Sequence, residues 1–315
     1  MALWTPDNLA ASLKGFWVDG NSISGNNGDK IASFVDRYGA VTFANTSSSQ
    51  QPQIETNSLN GLSSIKWVLG SGDDNLSGTW SDAVNIGTGD LFIIGLCLHD
   101  GSFDNNPTMA GVSFQDSPSQ RFQIQRQVVD DKMRLFQTGS EIDSDSAVSD
   151  NTPFMVGAVR TSSTSRLYIN ATVQAQTSTN SANLTSSETK LGSESGQFGS
   201  WSGNIFEVVA GRGTLSDNDR ERIEGYLSWK WGLEDNLPSN HKYKKFPPTF
   251  TLPTVYWTAG GNPADVSDPD NWSDNSVPDA SKKCVFNDKS SSITLGTLTA
   301  GEVRFSDGFS GDFGT

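Results

Sequence analysis

Between Gly203 and Pro248 the chain carries its one clear helix pattern, set in a sequence that elsewhere runs in short, strand-sized apolar segments. Ser216 is placed to accept a hydrogen bond from the first turn, and Asp219 at the third helical position completes a pair of the capping-box kind. Asp217 and Asp219 also complement the positive end of the helix dipole. Ile223, Tyr226, Leu227 and Trp231 recur at steps of three and four and define one apolar face. Gly232 is positioned to end the helix, and Leu237-Pro238 and Phe246-Pro247-Pro248 send the chain on as an extended arm. A single helix with one apolar face in such a chain is a packing element laid across a β structure.

The other segments support that reading. Leu91 to Leu98 is apolar on both faces, as a strand covered on both sides is. Ile65, Trp67 and Leu69 alternate onto one face, as do Phe122, Ile124 and Val128, among polar neighbours. Asn170 in Tyr168-Ile169-Asn170-Ala171-Thr172 marks a hairpin. Segments of this length and spacing predict an antiparallel sandwich or barrel. Two stretches, Ser140–Asp150 and Thr177–Gly199, are polar and poor in aromatics and read as surface loops. Pro247–Pro253 reads as a semi-rigid linker. It divides residues 1–248 from a small β module, 249–315, which ends on Gly-rich sequence without a closing strand and reads as incomplete.

Charge and motif content exclude several function classes. Lys+Arg number 22 against Asp+Glu 36, a net charge of −14, so the surface repels phosphate backbones and nucleic acid is not an expected partner. No apolar run reaches the length of a membrane span, and the first residues lack the pattern of a signal peptide. Cys97 and Cys284 are too far apart in sequence for a metal or redox pair, and Cys97 lies within an apolar run. His99-Asp100 places a histidine beside an acid, but adjacent strand residues face opposite ways.

The order of segments resembles a known family. LKGFWVDGNSIS with GDKIASFVDRYG, then QPQIETNSLNGLSSIKWVLGSGDDNLSG, and above all GNIFEVVAGRGTLSDNDRERIEGYLSWKWGL with LPSNHKYKKFPP resemble the concanavalin A-like (laminin-G-like) jelly-roll domains of phage virion and bacterial surface proteins. Phe34 stands where that family usually has Trp, and Lys242 where Pro usually follows the histidine. YWTAGGNPADVSDPDNWSDNSVPDASKKCVFND is similar to a repeat of phage fibres and autotransporter-type surface proteins. The resemblance implies an all-β fold: an antiparallel jelly-roll sandwich with one C-terminal amphipathic helix, plus the small β module. It implies a non-enzymatic structural protein of a tailed-phage virion surface, a capsid decoration or fibre component assembled in the host cytoplasm. Other virion proteins, further copies of the chain and surface glycans are the implied partners.

Three sets of residues are the candidates for chemistry. Glu141, Asp143 and Asp145 alternate as the carboxylates of jelly-roll glycosidases do, but their turn-like flanks read as a solvated acidic loop, and Phe136, the nearest aromatic, is five positions away. Trp80 and Trp201 lie in Gly/Ser-rich surroundings and are the candidate sugar platforms. Asp268, Asp270 and Asp274 form a loose calcium-type loop without the fixed Gly and terminal Glu of an EF-hand, with Asp73 and Asp74 as a second option. No other cofactor is implied.

Overall fold

The computed structural model describes residues 2–69, 74–102, 107–112, 120–137, 140–161, 164–179, 182–193, 199–250, 254–258, 260–262, 265–279, 282–286, 293–294, 300–305 and 313–314. Thr5–Pro248 form one compact unit, and Met1–Trp4 group with Thr249–Thr315 in a second.

The larger unit is a sandwich of two antiparallel sheets. The first runs, edge to edge, β15 (Thr172–Ser178), β14 (Thr164–Ile169), β13 (Phe154–Thr161), β8 (Leu91–His99), β17 (Gly203–Arg212), β6 (Leu62–Trp67) and β5 (Gln53–Leu59). A further strand, β2 (Phe16–Asp19), pairs with the C-terminal half of β17, whereas β6 pairs with its start. The second sheet runs β12 (Ser140–Ala147), β11 (Lys132–Gln137), β10 (Phe122–Arg126), β9 (Thr108–Val112), β16 (Glu188–Leu191), β7 (Leu76–Thr79), β4 (Thr42–Ala44) and β3 (Ser33–Val35). Alternation puts Phe43, Leu76, Phe122, Ile124, Leu135 and Ile142 of the second sheet against Phe16, Val18, Ile65, Trp67, Ile93 and Val208 of the first, all fully or almost fully buried. Arg160 projects into this interior and donates to the carbonyls of Gly87, Gly89 and Ala182 at 3.0, 2.8 and 2.8 Å, so one guanidinium ties two loops to β13. Burial pulls its pKa down to about 10.

The two polar stretches that read as loops contain strands. Ser140–Ala147 is β12 and residues 188–191 are β16, while β15, on the far side of the expected hairpin, runs two residues into the second stretch, to Ser178. Propensity misses them because Ser, Thr, Asp and Gln dominate their composition, and pairing with neighbours overrides it. The hairpin between β14 and β15 does turn at Asn170 and Ala171, with φ of 46° and 63°.

Helix α1 (Asp217–Trp231) starts where Ser216 Oγ accepts from Asp219 N at 3.1 Å, and Gly232, at φ 70°, closes it. It lies on the outer face of the first sheet: Trp231 meets Phe206 with ring centroids 5.2 Å apart, and Tyr226 meets Trp17 at 6.1 Å. β8 is therefore covered on both faces. The buried stripe is broader than the apolar one and includes Glu224 and Ser228. The proline-rich arm accounts for this, since it wraps the helix flank: Trp229 Nε1 donates to Tyr243 O at 2.8 Å, and His241 Nε2 lies 3.2 Å from Glu224 Oε2.

Between helix and sheet sits a buried polar group that sequence reading did not find. Glu207 on β17 is fully buried and accepts from Trp17 Nε1 at 2.6 Å, Trp231 Nε1 at 2.7 Å and Lys230 Nζ at 2.7 Å. Lys230 also reaches Asp19 Oδ1 at 2.8 Å. Burial raises the Glu207 carboxyl above the usual 4.5, with Lys230 opposing the rise.

In the smaller unit, β1 (Ala2–Leu3) pairs antiparallel with β18 (Thr249–Phe250), within the stretch that read as a linker. Three parallel strands follow, β19 (Thr254–Tyr256), β20 (Lys283–Phe286) and β22 (Glu302–Phe305), with a second parallel pair, β21 (Ile293–Thr294) and β23 (Phe313–Gly314). Phe286 stacks on Phe305 at 5.4 Å and meets Trp257 and Trp272 at 5.5 Å each. Val255 and Cys284 complete this small core.

Candidate functional site

Because side chains alternate along each strand, the residues between the core positions of the second sheet form its outer face. Register then sets them in rows. One row runs Ala44, Ser77, Lys190, Gly111, Gln123, Phe136 and Glu141 across seven strands, each residue paired with the next. The neighbouring row holds Gln125, Arg134 and Asp143. Phe136 is half-buried, and the Arg121 guanidinium lies 4.7 Å from its ring centroid. The aromatic five positions before Glu141 is thus its direct cross-strand partner. Only two residues, Thr138 and Gly139, separate the two strands in sequence, and that spacing was the hairpin signal that could have paired them.

The middle of this face is made of amides. Gln123 and Gln125 are 0% and 4% exposed although they point away from the core, and Gln123 Nε2 donates to Gln125 Oε1 at 2.6 Å. Gln123 Oε1 is buried without a hydrogen-bond partner among the described residues. Towards the β3 edge the face opens into a groove of about 490 Å³ lined by Ala40, Thr42, Ser77, Thr79 and Glu188. Lys190 Nζ stands 3.4 Å from Glu188 Oε1. Among the described residues the face offers hydroxyl, ammonium and carboxylate groups around a single aromatic ring, over a buried layer of amides. That is a donor and acceptor set suited to polyhydroxyl ligands.

The acidic run does not form a catalytic pair here. Arg134 sits between Glu141 and Asp143, bonding Asp143 through Nε at 2.6 Å and Nη2 at 3.1 Å and Glu141 through Nη1. A guanidinium between two carboxylates occupies the place a glycosidic bond would need. Asp145 is used differently: its carboxylate accepts from Ala175 N at 3.0 Å. The backbone amides of Asp143 and Asp145 donate to the Gln176 and Gln174 side chains at 3.0 and 2.8 Å. The run is a seam joining edge strand β12 of one sheet to edge strand β15 of the other, which covers two strand edges at once.

Trp80 and Trp201 are not platforms. They are 2% and 0% exposed. Trp80 packs edge-on to Phe16 with centroids 5.9 Å apart. Trp201 packs edge-on to His99 at 4.9 Å and donates to Leu98 O at 3.0 Å. Their Gly/Ser flanks suggested exposure, but large indoles closed gaps in the core instead. His99 is held neutral near neutral pH, its pKa lowered to about 4 chiefly by burial.

The calcium-type loop also resolves into local bonds. Asp268 caps a short turn, accepting from Asp270 N at 3.1 Å through Oδ1 and from Asn262 N at 2.7 Å through Oδ2. Asp274 binds the Lys282 ammonium at 2.6 Å, which holds its carboxyl below the usual range. Among the described residues no group of three or more His, Cys, Asp or Glu is placed to hold a metal. Asp73 lies outside the described residues, and Asp74 accepts from Val68 N at 3.0 Å. Both cysteines are buried and free. Among the described residues no helix is long and apolar enough to cross a membrane.

No protein-family model matches this chain, and no curated protein matches it. Among solved structures it is similar to Trypanosoma rangeli sialidase. Against that enzyme in complex with sialic acid the TM-score is 0.51 at 12% identity, over 70% of this chain and 34% of that one. Against the complex with the inhibitor DANA it is 0.50 at 12% identity, over 73% and 36%. The likeness is one of fold. It spans about a third of the sialidase and carries no activity across.

Proposed function

We propose that this chain is a non-enzymatic β-sandwich module that holds glycans on the outer face of its second sheet. The observation that carries this is the cross-strand row from Ser77 to Glu141, which puts a half-buried aromatic ring, Phe136, beside the Glu141 carboxylate and in line with the Lys190 ammonium and the Ser77 hydroxyl. A glycan would lay the C–H face of one ring on Phe136 with its hydroxyls on Glu141, and a unit further along the row would reach Lys190 and Ser77. The engagement of Arg134 by Glu141 and Asp143 speaks for binding rather than hydrolysis.

A glycan array with the whole chain tests the reading. Binding is expected, and Phe136→Ala should weaken it by about tenfold, the scale of one lost ring contact. The fold should survive, because Phe136 faces away from the core. An array silent for the parent chain, or a Phe136→Ala chain that binds as the parent does, would sink the proposal. For the enzymatic alternative, Glu141→Gln should leave polysaccharide turnover at the background level of the parent.

The setting we propose is the surface of a tailed-phage virion, where copies of the chain contact one another and other virion proteins. The resemblance of Gly203–Pro248 to jelly-roll domains of virion proteins supports it. Recovery of the chain in purified particles checks this, and its absence from them would end it.

A further inference from the structure

The opposite sheet bears a second concavity of different chemistry. On β14, Ser165 and Leu167 point into the core, so Arg166 and Tyr168 stand on the outer face, where the start of α1 approaches them. The space between strand and helix is a cleft of about 330 Å³. Its apolar walls are Val159, Leu215 and Tyr168, each 8% exposed. Arg220 stacks on the Tyr168 ring at 4.6 Å.

The two arginines of the cleft differ in how their charge is met. Arg220 is neutralised within the helix: its Nη1 lies 2.6 Å from both oxygens of Glu224, and its Nη2 lies 3.4 Å from Asp217 Oδ1. Arg166 is exposed, and its side chain has no hydrogen-bond or ion-pair partner among the described residues. A guanidinium left uncompensated is unexpected on a chain of net charge −14. In a cleft of small-molecule size, beside an aromatic ring and the hydroxyls of Thr161 and Thr164, it is a group with an open bidentate donor fork.

We propose that this cleft binds the carboxylate of an acidic monosaccharide unit, a hexuronate, with the carboxylate on Arg166 and the sugar ring against Tyr168 and Val159. Only an anion completes Arg166, and only a ligand with an apolar face uses the walls; a hexuronate has both. The site lies on the other sheet from the Phe136 row and does not depend on it.

Isothermal titration calorimetry with methyl glucuronoside and methyl glucoside at fixed ionic strength tests the proposal. Saturable binding of the glucuronoside is expected, with the neutral glucoside at least about tenfold weaker. Arg166→Ala should cost the glucuronoside about tenfold or more, and Phe136→Ala should leave it unchanged. No saturable binding, equal binding of the two glycosides, or an Arg166→Ala chain within twofold of the parent would each overturn it. A loss confined to Phe136→Ala would also overturn it, because it would move the ligand to the other face.

Discussion

Replacing Lys230 with methionine is expected to cost about 3–5 kcal/mol at neutral pH, the range for stripping one partner from a buried ion pair. The Lys230 ammonium is 2.7 Å from Glu207 Oε2 and 2.8 Å from Asp19 Oδ1, and Glu207 has no access to solvent. Two indole N–H groups would still face the carboxylate, but no cation would. The loss should depend on pH in a definite direction. Glu207 titrates above its usual 4.5 because burial disfavours its charge, and Lys230 is the principal opposing influence. A carboxyl raised in the folded state contributes stability that is fully present below pH 4.5 and is lost as pH rises through the folded value. Removing Lys230 moves that folded value further up. The deficit of Lys230→Met should therefore be smallest near pH 4.5 and grow towards neutrality. Urea unfolding at a series of pH values measures it, and Glu207→Gln in the same background should flatten the profile. An equal deficit at pH 4.5 and 7.5 would show that Lys230 acts through packing alone.

Gly203→Ala is expected to cost about 2–6 kcal/mol. Gly203 has φ of 124°, and a Cβ there would collide with the carbonyl oxygen of Leu98 and stand 3.0 Å from His99 Cα. Neither obstacle is a movable side-chain end. Gly203 is paired with His99 on one flank and Trp67 on the other, so the strand has nowhere to shift. Gly28→Ala is the control: its φ is 87°, with nothing within 4 Å of the new Cβ, so only the conformational cost of about 1–2 kcal/mol applies. Similar unfolding midpoints for the two variants would refute the packing argument.

Much of the fold was legible because its signals are local. Ser216 and Gly232 bracket a helix that begins and ends there, Asn170 turns a hairpin, and Leu91–Leu98 is apolar on both faces because helix and core cover both. What escaped is what depends on partners distant in sequence. Glu207 looks like an ordinary strand residue until Trp17, Lys230 and Trp231 close on it. Asp143 and Asp145 look like loop acids until β15 supplies Gln174, Gln176 and the Ala175 amide. The candidate glycan face was hidden for the same reason. Gln123, Phe136 and Glu141 share a row through the register of three strands, whereas the two tryptophans singled out by composition went into the core.

The position of β17 has a consequence for how the chain reaches this state. It is the last strand of the sandwich to be synthesised, yet it lies mid-sheet, with β8 on one side and β2 and β6 on the other. Trp17 and Glu207, 190 residues apart, meet across that junction. Until Gly203–Arg212 emerges, β2 and the facing edges of β6 and β8 lack the strand they pair with. Contacts of such sequence separation slow folding, and at about 5–20 residues per second the ribosome leaves those edges waiting for many seconds. Chains cut before Gly203 should aggregate through these unpaired edges, and the yield of native protein, read by size-exclusion chromatography, should rise when synthesis is slowed only after residue 212, not before it.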